Sequence, residues 1–194
     1  MAQLLKQQPD QRLPVSLELY CGAISPIVAG EVVSLIGRVW PEWSDDVSIM
    51  AQGLVNTMHE DPTFQVLVAW HREHIVGQVQ LFQRVLQTPK GQIPVLAMSG
   101  LCCDPRLVRR GIGATLLERA FEEVDLSHYP ICLFQTDDPQ YFEAKGAVQI
   151  ENRFTNRRNR KNPSSNPWRM KSVMIYPNWN EWPGGDIDLN GAPF

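Results

Sequence analysis

The sequence predicts a mixed α/β domain, because apolar strand-like runs alternate along it with amphipathic helical segments. Residues 95–103 form a continuous apolar run that is typical of a buried strand. Residues 64–70 and 75–85 are two further apolar strands joined by the polar turn HREH, which predicts a hairpin. A helical face follows the buried strand, formed by Ile112, Leu116, Leu117, Ala120, Phe121 and Val124.

The other elements are predicted from residues that favour helix starts and from prolines and glycines that end helices and strands. Ser25 is a suitable N-cap with Pro26 at the first helical position, and Ser44 or Asp45 is the expected cap of a second helix. Asp61-Pro62 ends that helix, and QTPKGQ at residues 87–92 is a turn. The predicted elements are, in order, strand 16–22, helix 27–39, a helix ending at 59, strands 64–70, 75–85 and 95–103, a helix from 109, strand 131–134, helix 140–145 and strand 169–176.

The most informative segment is LCCDPRLVRRGIGA at residues 101–114. Asp104-Pro105 ends the strand, since proline cannot continue a ladder. The glycines Gly111 and Gly113 then open a helix, whose unpaired N–H groups and positive dipole end can hold a phosphate. Glycine lets the ligand approach the backbone closely, and Arg109 and Arg110 add positive charge. The segment is therefore a candidate phosphate cradle.

Two phosphate-binding loops share part of this pattern. A P-loop requires Gly-Lys-Ser/Thr, but Ala114-Thr115 follows Gly113 with no lysine. A dinucleotide-binding turn requires the motif G-x-G-x-x-G directly after the strand. Residues 111–116 match its first two glycines, but Leu116 stands in place of the third. Asp137 and Asp138 lie about where a ribose-binding acid would be, so NAD(P) binding stays an alternative.

The segment resembles motif A of the GNAT N-acetyltransferase superfamily, a strand and short proline loop followed by (Arg/Gln)-x-x-Gly-x-Gly/Ala at the start of a helix. YFEAKGA at residues 141–147 is similar to the helix-then-strand segment of the same family. Together the two matches cover roughly residues 95–150. The resemblance implies an α/β (α+β) GNAT-like fold, with a mixed, mostly antiparallel central sheet flanked by helices on both sides.

The resemblance also implies a site and a cofactor, acetyl-CoA or another acyl-CoA. The backbones of Leu101, Cys102 and Cys103 would pair with the pantetheine arm. The pyrophosphate would be held by the loop and helix start, at Arg109, Arg110, Gly111, Ile112, Gly113 and Ala114. Val108 replaces the family's first Arg/Gln, and the two arginines follow it.

The catalytic groups are less clearly marked. The family's frequent tyrosine acid falls at Phe142, so Tyr141, one residue earlier, is the candidate donor of a proton to the leaving thiolate. An amine near pKa 10.4 must lose a proton before attack, so a base is useful. The acids considered for it are Glu42, Asp45, Asp46, Asp137 and Asp138. Trp40, Trp43 and Phe82 are candidate walls of an acceptor pocket, whereas His71 and His74 are expected only in a hairpin turn.

Composition narrows the class of protein. The net charge of −3 gives no general attraction to nucleic acid or membranes, and no apolar run approaches the roughly 20 residues of a bilayer span. The start of the chain does not read as a secretory signal. The four cysteines Cys21, Cys102, Cys103 and Cys132 show no C-x-x-C spacing, which favours reduced thiols in the cytoplasm over a metal site. No metal is expected.

We therefore expect residues 1–194 to form one acyl-CoA-binding domain, with a basic loop at about 152–169 and an irregular tail at about 177–194. Seven basic residues and no acid lie between Asn152 and Asn180. That loop is expected to be a solvated surface, a contact for the CoA 3′-phosphate or an acidic acceptor, or, least favoured, an RNA contact. The predicted function is transfer of an acetyl or related acyl group to a primary amine on a small-molecule or peptide acceptor. A non-catalytic acyl-CoA sensor or interaction module is the alternative, and a homodimer is left open.

Overall fold

The computed structural model describes residues 12–43, 46–125 and 128–194. Within these ranges the helices are α1 (Pro26–Val39), α2 (Val47–Glu60), α3 (Ile112–Glu122) and α4 (Pro139–Glu143). The strands are β1 (Ser16–Cys21), β2 (Gln65–His71), β3 (His74–Thr88), β4 (Gly91–Cys103), β5 (Cys132–Thr136), β6 (Val148–Ile150), β7 (Phe154–Thr155), β8 (Ser172–Tyr176) and β9 (Ile187–Asp188). The predicted alternation of strands and helices is confirmed.

All nine strands belong to one sheet with the order β1-β2-β3-β4-β5-β8-β6, and β9 pairs with the end of β3 and with β7. The pairs are antiparallel except β4–β5 and β7–β9. The predicted mixed, mostly antiparallel sheet is therefore confirmed. A dinucleotide-binding fold requires a largely parallel sheet, so the NAD(P) alternative does not fit this topology.

The two faces of the sheet have different covers. On one face, α3 and α4 pack against β2–β5, and the contact includes Leu96 and Met98 of β4. The alternate residues Val95 and Ala97 point to the opposite face, as strand geometry requires. There α1 and α2 cover the β1–β4 side, and the chain after β7 covers β4, β5 and β8. Helices thus lie on both faces, as expected.

Local signals account for the helix starts, with one correction. Ser25 caps α1 through its hydroxyl, which accepts a hydrogen bond from Val28 N, and Pro26 occupies the first position. The cap of α2 is Asp46, whose carboxylate accepts from the backbone N–H groups of Ser48 and Ile49. The prediction of Ser44 or Asp45 as that cap was therefore wrong by one or two residues, and those two residues lie outside the described ranges.

Several boundaries also differ from the prediction. Strands β3 and β4 extend toward each other, so that Pro89 and Lys90 alone separate them and the expected six-residue turn becomes part of the ladder. The last long strand, β8, begins at Ser172 rather than at 169. Helix α3 begins at Ile112 because Arg109 and Gly111 have positive φ angles of 60° and 78°, which are not helical.

The basic segment and the tail are joined to each other. Phe154 in β7 and Ile187 in β9 are both buried, and the two strands pair in parallel. Arg157 lies 3.7 Å from the buried carboxylate of Asp188, and its backbone N–H donates to the same side chain. Arg153 lies 3.5 Å from Asp186. Part of the basic charge is therefore paired with acids of the tail.

Close packing of α3 on β3 depends on Gly77. A Cβ at this position would lie 2.7 Å from Leu116 Cδ1 and 2.8 Å from Ile112 Cγ2, closer than van der Waals contact allows. We expect Gly77→Ala to lower the free energy of unfolding by about 1–3 kcal/mol through overpacking. Gly53→Ala, on an exposed position of α2 with no atom within 4 Å, should instead raise it by about 0.5–1 kcal/mol. Urea denaturation measures both, and equal effects of the two changes would contradict this account.

Candidate active site

A bulge interrupts β4 near its end. Gln80 pairs with Ser99 and Gln78 with Cys102, so that β4 carries one residue more than β3 between these pairs. Gly100 takes up the extra residue with a φ of 62°, a conformation that favours glycine. The wholly buried Gln78 amide donates hydrogen bonds to Gly100 O and, at 3.6 Å, to Cys102 Sγ. This side chain fixes the bulge from the neighbouring strand.

The strands β4 and β5 pair only at Leu96–Cys132 and Ala97–Leu133, and they separate beyond these residues. Among the described residues, the side of β4 that would continue this ladder therefore has no strand partner from Met98 onward. A cavity of about 320 Å³ occupies the separation. Its walls are Trp40, Met98, Ser99, Gly100, Leu101, Phe134, Gln135, Thr136, Asp137, Asp138, Phe142, Met170 and Phe194.

The predicted phosphate cradle lies at the end of β4. Helix α3 starts there behind Gly111, and no side chain caps it among the described residues. The buried Ile112 side chain faces the core, so this residue offers the loop only its backbone. Arg109 and Arg110 are exposed, while Gly113 and Ala114 are partly exposed in the first turn. The arrangement leaves backbone N–H groups and positive charge at one helix start.

The N-terminal segment contacts the predicted cradle, which no local pattern in the sequence indicates. Leu13 N donates a 2.9 Å hydrogen bond to Arg110 O. The Arg12 side chain also lies over Gly111, since a Cβ there would be 3.0 Å from Arg12 Cγ. A third arginine is thus placed beside the glycine turn.

Tyr141 lies between the cradle and the end of β4. A Cβ on Gly113 would be 3.7 Å from Tyr141 Oη and 3.4 Å from Cys103 Sγ. Burial raises the pKa of the Tyr141 phenol, so the hydroxyl is protonated at neutral pH. Phe142 is buried and forms part of the cavity wall, whereas Tyr141 does not. The one-residue offset seen in the sequence therefore puts the phenol on the cradle side.

The three predicted arm-binding residues alternate across the sheet. Leu101 and Cys103 contact the α3 side, while Cys102 packs against α1 and α2. Burial raises the pKa of Cys103 to about 11 and that of Cys102 to about 12. Both thiols are neutral at physiological pH, which does not suit nucleophilic catalysis. Cys102 and Cys103 therefore offer a ligand their backbone groups rather than a reactive thiolate.

A buried carboxylate fixes the strand-to-loop junction. Asp104 is 1% exposed and accepts hydrogen bonds from the backbone and guanidinium of Arg106, the shortest at 2.7 Å. Arg38 of α1 lies 3.4 Å away on the same carboxylate. The hydrogen bonds from Arg106 are the main cause that lowers the pKa of Asp104 to about 2. The carboxylate therefore ties the loop before the cradle to both the sheet and α1.

The other candidate residues separate into two groups. Asp137 and Asp138 line the cavity, where Asp138 also caps α4 by accepting from Tyr141 N at 3.4 Å. Asp46 caps α2 and Glu42 is exposed, so neither lines the cavity.

Trp40 lines the cavity as predicted, and Phe82 instead packs behind it on Phe194. The side chain of Trp43, like Asp45, lies outside the described part of the structure. His71 and His74 border a separate cavity of about 450 Å³ near Asp104.

The described ranges contain neither a metal-binding cluster nor a helix suited to cross a membrane. No cluster of three or more His, Cys, Asp or Glu side chains there could hold a metal ion. Across the same ranges, none of the helices combines the length and apolar character that a bilayer crossing requires.

Comparisons with known proteins agree with this architecture. A family model described as an acetyltransferase (GNAT) domain matches residues 31–147. YhbS from Escherichia coli, a GNAT family N-acetyltransferase solved in complex with CoA, is similar with a TM-score of 0.59 and 15% identity over 95% of this chain and 94% of that one. No curated protein matches the chain by sequence.

Two further solved structures are similar. A GCN5-related N-acetyltransferase from Kribbella flavida has a TM-score of 0.55 and 15% identity over 70% of this chain, which spans about a third (33%) of that protein. An aminoglycoside acetyltransferase from an uncultured soil metagenomic sample, solved in complex with sisomicin, has a TM-score of 0.51 and 20% identity over 68% of this chain and 83% of that one.

The family match spans more than half of the 194 residues, and it includes strands β2–β5 and the glycine turn before α3. The chain therefore belongs to the GNAT acetyltransferases, which are N-acetyltransferases that take their acetyl group from acetyl-CoA. The family expected from residues 101–114 and 141–147 is confirmed.

The Asp104 ion pairs predict a specific pH dependence of stability. Because the pKa in the folded protein, about 2, lies below that of an exposed aspartate, the carboxylate stabilises the fold above pH about 4. This contribution is lost as the pH falls toward 2. We expect Asp104→Asn to lower the free energy of unfolding by about 2 kcal/mol at pH 7, with a difference that disappears near pH 2.

Urea denaturation from pH 2 to 7 measures this difference. Asp186→Asn, which removes an exposed carboxylate 3.5 Å from Arg153, is the matched control and should change stability little at any pH. A constant difference between Asp104→Asn and the unmodified protein over the whole range would contradict the assignment.

Proposed function

We propose that this protein transfers the acetyl group of acetyl-CoA to a primary amine inside the cavity between β4 and β5. The proposal rests on one observation: the unpaired side of β4, the bulge and the predicted cradle follow one another along the chain. The unpaired side of β4 begins at Met98, runs through the bulge at Gly100 and ends beside the cradle at Gly111. A long ligand with a thioester at one end and a pyrophosphate at the other matches this order.

The cofactor would lie along β4 on the α3 side. The backbones of Leu101, Cys102 and Cys103 would pair with the amides of the pantetheine arm, in place of a neighbouring strand. The pyrophosphate would accept from backbone N–H groups of the first turn, from Gly111 through Ile112 and Gly113 to Ala114. Arg109, Arg110 and Arg12 supply positive charge at the same turn.

The chemistry requires little beyond alignment, since the thioester is already reactive. The amine must lose a proton, and Asp137 and Asp138 are the ionisable side chains on the described cavity wall. Either can accept this proton directly or through a water molecule. Tyr141, kept protonated by its raised pKa, would donate to the leaving thiolate.

The alternative function, an acyl-CoA sensor without catalysis, also has a supporting observation. Phe142, which has no hydroxyl, occupies the cavity wall, and Tyr141 lies toward the cradle. A sensor would bind acetyl-CoA with no turnover of any amine. The four cysteines are free thiols, which supports a reducing compartment such as the cytoplasm for either function.

Calorimetric titration with acetyl-CoA, with CoA and NAD(P) as controls, tests the proposal. We expect acetyl-CoA to bind and NAD(P) not to bind. Release of the CoA thiol in the presence of amines then separates an enzyme from a sensor. Absence of any acyl-CoA binding would overturn both functions.

Gly113 tests the cradle without disturbing the core. Its φ is not positive, and a Cβ would make only ordinary contacts at 3.4 Å or more. We expect Gly113→Val to fold normally and to weaken acetyl-CoA binding at least about tenfold, because its branches enter the space beside Cys103 and Tyr141. Gly184→Val, with no atom within 4 Å, is the control and should bind normally. Unchanged affinity of folded Gly113→Val would remove the cradle assignment.

Tyr141→Phe tests proton donation to the thiolate. Loss of the hydroxyl should lower kcat about 10²- to 10⁴-fold while the Kd for acetyl-CoA stays within about twofold. Tyr129→Phe, in a partly buried tyrosine that packs on the same core, should leave both values unchanged. Equal turnover by Tyr141→Phe would assign this residue to packing alone.

A further inference from the structure

We infer that the acceptor is a monoamine on an apolar, preferably aromatic, body, and that Phe194 and Met170 select it. This inference rests on the proposed function. The cavity wall is mainly hydrophobic, with Trp40, Phe134 and Phe142 among its members. Over the described residues its only ionisable side chains are Asp137 and Asp138. These two carboxylates are consecutive in the chain, so the wall suits an ammonium group at one place and an apolar body against the rest.

The two sides of the cavity belong to different sheet faces. Phe142 and Met98 pack with α3, on the face that carries the cradle. Trp40 packs with α1 and α2, and Phe194 packs with the C-terminal segment, both on the opposite face. Because α3 and the proposed cofactor occupy the first face, the acceptor would enter from the opposite face, between Trp40 and Phe194.

Phe194 is a fixed wall. Its ring makes edge contacts with Trp168 at 5.0 Å and with Phe82 at 5.4 Å between centroids. The guanidinium carbon of Arg84 lies 5.5 Å from the same ring centroid. The side chain is 9% exposed. Contacts on three sides leave the ring little freedom, so that it limits the shape of the acceptor rather than adapting to it.

Gln135 of β5 positions both selecting residues. Its amide nitrogen donates to Phe194 O at 2.7 Å, and its amide oxygen accepts from Arg169 N and Met170 N at 2.9 Å each. One side chain thus joins the C-terminal segment and the residues before β8 to the strand that opens the cavity. Phe194 and Met170 lie outside the region that the family model matches, residues 31–147.

This wall discriminates against acceptors with several charges. A second ammonium group that lies away from Asp137 and Asp138 would lose its hydration against the apolar wall. That part of the wall is formed by Trp40, Met170 and Phe194, which offer no side-chain carboxylate. An aromatic ring in the same place loses only unfavourable contact with water. The carboxylates of Asp137 and Asp138 remain available to the single ammonium that reacts.

The test compares 2-phenylethylamine with spermidine as acceptors for the full chain, measuring kcat/KM by release of the CoA thiol. We expect the aromatic amine to be favoured at least about tenfold. Phe194→Ala should reduce this ratio about tenfold while the Kd for acetyl-CoA stays within about twofold. Trp182→Ala, an aromatic truncation in the same segment whose indole binds Asn152 away from the cavity, is the control and should keep the ratio.

Met170→Ala, on a partly exposed side chain of the same wall, should also lower the ratio and keeps the test decisive if Phe194→Ala fails to fold. Preference for spermidine with normal acetyl-CoA binding would overturn this inference and leave the proposed function intact. An unchanged ratio in the folded variants would do the same. Absence of both acetyl-CoA binding and turnover would overturn the proposed function itself.

Discussion

The short pairing between β4 and β5 is the constraint on which the site depends. Two residue pairs, Leu96–Cys132 and Ala97–Leu133, hold these parallel strands together, and the ladder then stops. The bulge at Gly100 turns the rest of β4 away from the line that the pairing would follow. Backbone polar groups normally have partners in a folded protein, so a strand released in this way is suited to pair with an extended ligand. The separation also creates the cavity in which the reaction can occur.

Two buried polar side chains fix the ends of this released segment. The amide of Gln78 holds the carbonyl of Gly100 from β3, and the carboxylate of Asp104 holds the loop that follows Cys103. Both residues are almost wholly buried, where loss of these hydrogen bonds would be costly. Their hydrogen bonds therefore specify one geometry between the bulge and the cradle. In the proposed function, the sheet rather than a flexible loop would set the distance between the thioester site and the pyrophosphate site.

The strand end and the helix start at the predicted cradle could be predicted from the sequence because their signals are local. Asp104-Pro105, Gly111 and Gly113 lie within ten residues of each other, and they define the strand end and the helix start in the structure. The error at the cap of α2 has the same local origin, since Ser44, Asp45 and Asp46 are all good N-caps and the sequence alone does not rank them. The positions of Arg12 and Phe194 depend instead on contacts across the fold. Gln135 and Phe194 are 59 residues apart, and no local pattern marks that pair.

The same contrast between local and long-range contacts separates the proposed cofactor site from the proposed acceptor site. In the proposed function, backbone groups of the bulged strand and of the first turn of α3 would hold the cofactor, so side-chain changes elsewhere should leave its binding largely unaffected. Side chains from the end of α1, from the residues before β8 and from the C-terminal segment line the cavity that is proposed to take the acceptor. They meet through Gln135 and through the aromatic contacts of Phe194. Replacing Phe194 or Met170 can thus alter which amine fits while the thioester stays aligned. The same acetyl transfer is compatible with different acceptors because the groups that choose the amine are not those that hold the donor.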